Sequence, residues 1–303
     1  MRKKFLLLLA LLFLLAGVIF VLPAVRDHAP DQTKESATEE TESETPTETE
    51  TESETETEET TEEETEGPGD PVDREKVETH LIIASDTHYM SPSMTDYGAA
   101  FDSLVNSNDG KVIRYQPQLW QAFKSEVLAA NPDALILSGD LSLNGEKANH
   151  LEFSEKLREI EEAGVPVYVI PGNHDINKPD AGEYFGDQRT DVESVTSEEF
   201  REIYADFGYN EAKSGAPDSL SYLVELNDTT WLMMLDTTVC EPENEVYGEI
   251  KEGTLEWMEE CLKEAYAEGI TVIPVGHHNL QRLSRVYVEE CVIENCDGTI
   301  INP

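Results

Sequence analysis

From residue 79 onward the chain repeats one pattern, a short apolar run that ends in a cluster of Gly, Asp, Asn or His. Leu81–Ser85 leads into Asp86-Thr87-His88, and Ala134–Ser138 leads into Gly139-Asp140, with Asn144-Gly145-Glu146 close behind. Val165–Ile170 leads into Gly172-Asn173-His174-Asp175, and Ile270–Val275 into Gly276-His277-His278-Asn279. Each run has the length of a buried strand. Amphipathic helical stretches lie between them. In Gln118–Ala130, Leu119, Trp120, Phe123, Val127 and Leu128 recur at helical spacing. In Ala148–Ala163, Leu151, Leu157 and Ile160 point inward, and Gly164 ends the helix. Gly253–Gly269 predicts a further helix with Leu255, Met258, Cys261, Leu262 and Ala265 on its apolar face. Repeated βα units of this kind predict an α/β fold with a largely parallel sheet covered on both faces. Leu220–Leu226 and Thr230–Leu235 read as a hairpin around Asn227-Asp228. Residues 90–117 and 177–196 read as polar inserted loops beside motif-bearing strands, placed to contact a substrate.

The first seventy residues follow different rules. Arg2-Lys3-Lys4 precedes an almost unbroken apolar run from Phe5 to Val25, which is long enough to span a bilayer. No small-x-small cleavage site follows it, so residues 1–30 fit an uncleaved signal anchor better than a cleaved secretory signal. The basic flank stays inside, which puts the remainder outside the cytoplasm, on the cell membrane as a single-pass protein or, if cleaved, secreted. Residues 31–72 are a Thr/Glu-rich tract that cannot bury enough apolar area to order itself, and they read as a disordered stalk. Residues 31–70 hold 18 acidic side chains against Lys34, leaving −26 of the net charge of −43 on the rest of the chain. Such a field repels polyanions, so nucleic acid is not an expected partner. Residues 73–303 supply the single globular domain. Cys240, Cys261, Cys291 and Cys296 allow three disulfide pairings, with Cys261 expected as a buried thiol and Cys291 and Cys296 near enough in sequence to bond.

In an open α/β sheet, ligands bind beyond the carboxyl ends of the strands. Four strand ends here deliver Asp86, His88, Asp140, Asn173 and His277 to one edge, a donor set suited to a divalent metal. Each cluster alone is common. A lone His after a strand is more often a hydrogen-bonded structural residue than a ligand. The ordered set is not explained by caps.

That ordered set, D-x-H, G-D, G-N-H-D and a later G-H, resembles the calcineurin-like metallophosphoesterase family over about residues 79–280. The resemblance implies a four-layer α/β-β/α sandwich holding two divalent or trivalent metal ions, Mn, Fe or Zn. It places Asp86 and His88 on the first ion, Asp140 between both, and Asn173 and His277 on the second. His174 becomes the non-ligand His that assists the leaving group, and His278 is less favoured as a ligand than His277. The implied activity is hydrolysis of a phosphomonoester or phosphodiester by metal-activated hydroxide, on a small molecule or a surface-borne phosphate ester. Leu143 stands where purple acid phosphatases carry their metal-bound Tyr, so that branch is excluded. The family's final G-H-x-H is missing before Pro303. The expectation is therefore a chain cut short, weakly metallated and nearly inactive, and the alternative is a surface protein that uses the same fold only for binding.

Overall fold

The computed structural model describes residues 72–107 and 111–279. The signal anchor and the acidic stalk lie outside the described residues, as do Cys291 and Cys296. Among the described residues no helix is long and apolar enough to cross a membrane.

Two sheets form the centre. The first joins β1 (Leu81–Ala84), β2 (Ala134–Ser138) and β3 (Val167–Ile170) in that order, all parallel. β2 is central and wholly buried, which is why its five residues carry only one hydroxyl and no charge. The second sheet runs β6 (Ser214–Gly215), β7 (Tyr222–Asn227), β8 (Thr230–Leu235) and β9 (Thr271–Gly276). β8 pairs antiparallel with β7 and parallel with β9, so this sheet is mixed rather than parallel. The cause is the tight turn at Asp228-Thr229, where Asn227 Oδ1 accepts from the Thr229 amide at 2.9 Å and reverses the chain.

Alternation along β8 sorts the layers. Leu232 and Met234 join Tyr222 and Val224 in a core shared with β1–β3. Trp231, Met233 and Leu235 face the other way, with Leu223, onto the helix α5 (Glu252–Glu268). On the first sheet, α2 (Gln116–Ala130) and α3 (Lys147–Glu161) add Trp120, Val127, Phe153, Leu157 and Ile160 to the shared core. Helix, sheet, sheet and helix therefore stack as α/β-β/α.

Three helix faces differ from the sequence reading. Leu151 is 50% exposed, because the inward arc of α3 is taken by Asn149 and His150, whose polar groups find buried partners. Asn149 Oδ1 accepts from the Ser91 amide, and His150 Nδ1 meets the Tyr204 hydroxyl at 2.8 Å. On α5 the buried arc is Thr254, Trp257, Cys261 and Ala265, while Leu255 and Leu262 are exposed. Two apolar arcs lie one residue apart on this helix, and the one carrying the large indole takes the sheet. Leu119 on α2 is exposed as well. Cys240 and Cys261 are free buried thiols, as expected for Cys261.

The inserted loops are more ordered than a polar composition suggests. The first contains α1 (Ala99–Ser107), and the second folds into the hairpin β4 (Gly182–Phe185) and β5 (Gln188–Asp191), with α4 (Ser197–Ile203) just after it. They meet each other. The Ala100 amide donates to Gly186 O at 2.9 Å, and Met90, Met94, Phe101, Ile113, Leu143 and Tyr184 make a small separate core. Its two aromatic and two methionine side chains were hidden among Asp, Gly and Pro.

The α5 assignment makes a direct prediction. Trp257→Ala should destabilise the domain by about 3–5 kcal/mol, whereas Leu262→Ser should change stability by no more than about 0.5 kcal/mol. Urea unfolding followed by circular dichroism reads both, and equal losses would mean the helix is rotated.

Candidate metal centre

The loops after β1 and β2 continue to pair beyond the strands. The amides of Asp86, His88 and Tyr89 donate to the carbonyls of Gly139, Asp140 and Leu141 at 3.1, 2.9 and 2.8 Å. Asp86 and His88 are not on an extended strand end, as their one-residue spacing suggests. Asp86, His88 and Asp140 all sit at positive φ, 58°, 41° and 53°. Each such non-glycine residue costs on the order of 1–2 kcal/mol and survives only where surrounding bonds impose it. Here the zipped loops impose it, and the left-handed turns aim all three side chains at one point.

At that point the donor atoms of Asp86, His88 and Asp140 lie within 4.8 Å of one another. His88 Nε2 is 3.7 Å from Asp86 Oδ1 and 3.5 Å from Asp140 Oδ2. The other Asp140 oxygen, Oδ1, is 3.4 Å from His277 Nε2, which is 3.2 Å from Asn173 Oδ1. Two donors each about 2.0–2.2 Å from one ion at a tetrahedral angle are roughly 3.4 Å apart. The spacing of these groups therefore fits cations on both sides of Asp140.

The imidazoles are oriented for it. His277 Nδ1 donates to Ser138 O at 2.9 Å, which leaves Nε2 bare toward Asp140 and Asn173. His88 Nδ1 faces Ser142 O at 3.4 Å in the same sense. A carbonyl fixing the far nitrogen is the usual support of a ligand histidine. Backbone crowding explains two glycines. A Cβ at Gly139, where φ is 91°, would lie 2.6 Å from His277 Nδ1, and one at Gly172 would lie 2.4 Å from Asp140 Oδ1. His278 turns away and binds Thr237 Oγ1 at 2.7 Å, so it does not join the donor set.

His174 lies beside the cluster, its ring 5.0 Å from that of His88 and edge-on to it. Its Nδ1 faces Leu143 O at 3.1 Å and Asn144 Oδ1 at 2.8 Å, so Nδ1 carries the hydrogen. Nε2 is the acceptor, 3.4 Å from Lys111 Nζ. Burial, then the charges of Lys111, His88 and Lys178, push its pKa down to about 2, which makes the resting imidazole neutral.

The sequence did not single out Asp175 as the organiser of the site. Fully buried, its carboxylate accepts from the amides of Leu141 (3.0 Å), Ser142 (2.8 Å) and Gly172 (2.9 Å) and from Ser142 Oγ (3.0 Å). It ties the Asp140 loop to the Asn173 loop. Glu146 is likewise structural. It is buried, accepting from the Asn144 amide and Asn149 Nδ2, and burial raises its pKa. Lys111, Lys178 and Asn244 also border the site. No motif marks them, since they reach it from the two insertions and from the loop after β8.

A family profile described as calcineurin-like phosphoesterase matches residues 79–296, a span that includes every residue of this centre. No curated protein matches the sequence.

Two outcomes test the network. Asp175→Asn would turn an amide donor toward amide donors, and it should lower metal affinity by about 10–100-fold in an equilibrium titration while the fold persists. His150 donates Nε2–H to Asp175 O at 3.0 Å and is held neutral chiefly by burial, which outweighs the Asp175 charge. Its folded pKa is lowered, so the unfolded chain alone takes up that proton below roughly pH 6.5, and stability is lost as pH falls through that value. Urea midpoints between pH 7.5 and 5.5 should therefore fall more steeply for the native sequence than for His150→Gln.

Proposed function

The chain belongs to the calcineurin-like phosphoesterase family, and on that premise we propose that it is a binuclear-metal hydrolase of phosphomonoesters or phosphodiesters acting outside the cytoplasm. The observation that carries this reading is the single carboxylate of Asp140, whose two oxygens face two different imidazoles at 3.5 and 3.4 Å. Asp86, His88 and Asp140 would hold one cation, and Asp140, Asn173 and His277 the other. Bound there, the two ions would supply the Lewis acidity that activates water and neutralises charge on the phosphoryl oxygens.

The remaining work falls to the protein. Asn173 adds an oxygen without adding charge, which keeps the centre attractive to a phosphate. Asp140 is buried, so its charge is undiluted by solvent and acts on both neighbours at once. His174 presents Nε2 to the open side, 3.4 Å from Lys111 Nζ, and because that nitrogen carries no hydrogen at rest it must first take a proton, from the Lys111 ammonium, before it can give one to a departing alkoxide. Asp86 is exposed, which leaves an approach for substrate from solvent. The strongly acidic remainder of the chain favours a small or surface-borne phosphate ester over nucleic acid. Arg2-Lys3-Lys4, the apolar run Phe5–Val25 and the acidic tract support attachment to a membrane with the domain displayed outside.

Calorimetric titration of the full chain with Mn²⁺ tests the centre, alongside hydrolysis of bis(4-nitrophenyl) phosphate. Two weak binding events are expected, both lost in Asp140→Ala and one retained in His277→Ala. Turnover should disappear in Asp140→Ala. A site that survives that substitution with unchanged affinity would show that Asp140 does not bridge.

A further inference from the structure

The metal cluster accounts for the transferred phosphoryl group, but not for two cations at its open side. Lys111 follows α1 in the first insertion and places Nζ 3.4 Å from His174 Nε2. Lys178 opens the second insertion, its backbone amide bound to Ser194 Oγ at 3.0 Å and its Nζ to Asn244 Oδ1 at 3.2 Å. Asn244 in turn donates to the carbonyls of Asn173 and Ile176 at 3.1 and 2.9 Å, which fixes it to the metal-site loop. Lys178 thus reaches the Asn173 loop, next to His174, through one bridging amide. The chain has 21 Lys and Arg residues against 64 acidic ones, so two lysines at the rim of one centre are not a sample of its surface.

We propose that Lys111 and Lys178 form an anion clamp beside His174, and that the substrate is a phosphate ester whose leaving group carries a second anionic group. This inference rests on the hydrolase reading of the same centre. Its logic is positional. His174 meets His88 edge-on with its ring and Lys111 with Nε2, while Lys178 reaches the Asn173 loop through Asn244. The phosphoryl group belongs with the cations held by Asp140, and the leaving group belongs past His174 Nε2. A neutral leaving group gains nothing from two ammonium groups there. An anionic one would meet the repulsion of a strongly acidic protein everywhere else, and the clamp offsets it locally. Lysine suits this role as a point charge that adapts to either a phosphate or a carboxylate. The two insertions pack on each other through the small core around Phe101 and Tyr184, which sets the spacing of the clamp.

Non-hydrolysable probes test this by binding alone. Phenylphosphonate, 3-carboxyphenylphosphonate and 1,3-phenylenebisphosphonate are titrated into the full chain with Mn²⁺ present, followed by calorimetry. At least one anionic probe should bind about tenfold tighter than phenylphosphonate, the upper end for two partly exposed ion pairs, and the advantage should shrink with added salt. The arm that gains more tells phosphate from carboxylate. In Lys111→Gln/Lys178→Gln the ratio should fall to about one, with the far-ultraviolet spectrum unchanged. Equal affinities for all three probes in the native sequence overturn the clamp. So does a double variant that weakens all three alike, because the lysines would then serve the transferred phosphoryl group itself. If no probe binds with or without Mn²⁺, the metal-centre reading fails and the clamp fails with it. Binding of phenylphosphonate without any anionic preference sinks the clamp and leaves the metal centre standing.

Discussion

A buried carboxylate bound by amides and a hydroxyl holds this centre together. Asp175 sits where four donors converge from two loops, and each bond to a charged acceptor is worth more than an ordinary amide pair. Its demand for donors explains why the chain after β2 turns as it does, since the amides of Leu141 and Ser142 can reach it only if Asp140 adopts its left-handed conformation. That turn is what carries the Asp140 side chain between His88 and His277. The strain at Asp86 and His88 follows in turn, because their amides must track the carbonyls of the same loop. One interaction deep in the fold therefore sets the aim of side chains that never touch it.

The sandwich supplies what the loops cannot. β2 and β3 place the Asp140 and Asn173 loops side by side on one sheet, while His277 arrives from the end of β9 on the other. The hydrogen bond from His277 Nδ1 to Ser138 O crosses between the sheets and locks them at the centre. A donor set drawn from both sheets needs their packing to hold to a fraction of an ångström, and the shared core of Leu135, Leu137, Leu232 and Met234 provides that rigidity. Glycine at 139 and 172 leaves room where a Cβ would collide with His277 or Asp140.

The strands and their polar ends were legible in the sequence because apolar runs and Gly-Asp-His clusters are local signals. Ala134–Ser138 and Thr230–Leu235 fell where periodicity put them. The donor residues were legible as a set for the same reason. What escaped was decided by partners far along the chain. The inward turn of α3 depends on Tyr204 and Ser91 receiving His150 and Asn149, and neither is visible from the helix itself. The rotation of α5 depends on which of two adjacent apolar arcs fits the sheet. The positive φ at Asp86, His88 and Asp140 contradicts their residue types, as backbone at a working site often does. Lys111 and Lys178 carry no pattern at all, since their meaning comes only from the place to which two irregular insertions bring them.

Those insertions share a core of their own, built around Phe101, Ile113 and Tyr184 and separate from the main one. A cluster that small can open and close on its own, at less cost than the whole domain. It also divides the labour of inheritance. Changes in residues 90–117 and 177–196 can alter what the pocket rim admits while the ligand loops, anchored on Asp175 and the two sheets, keep their chemistry. Substrate range is thus the trait most free to drift in such a protein, and hydrolysis the trait least free.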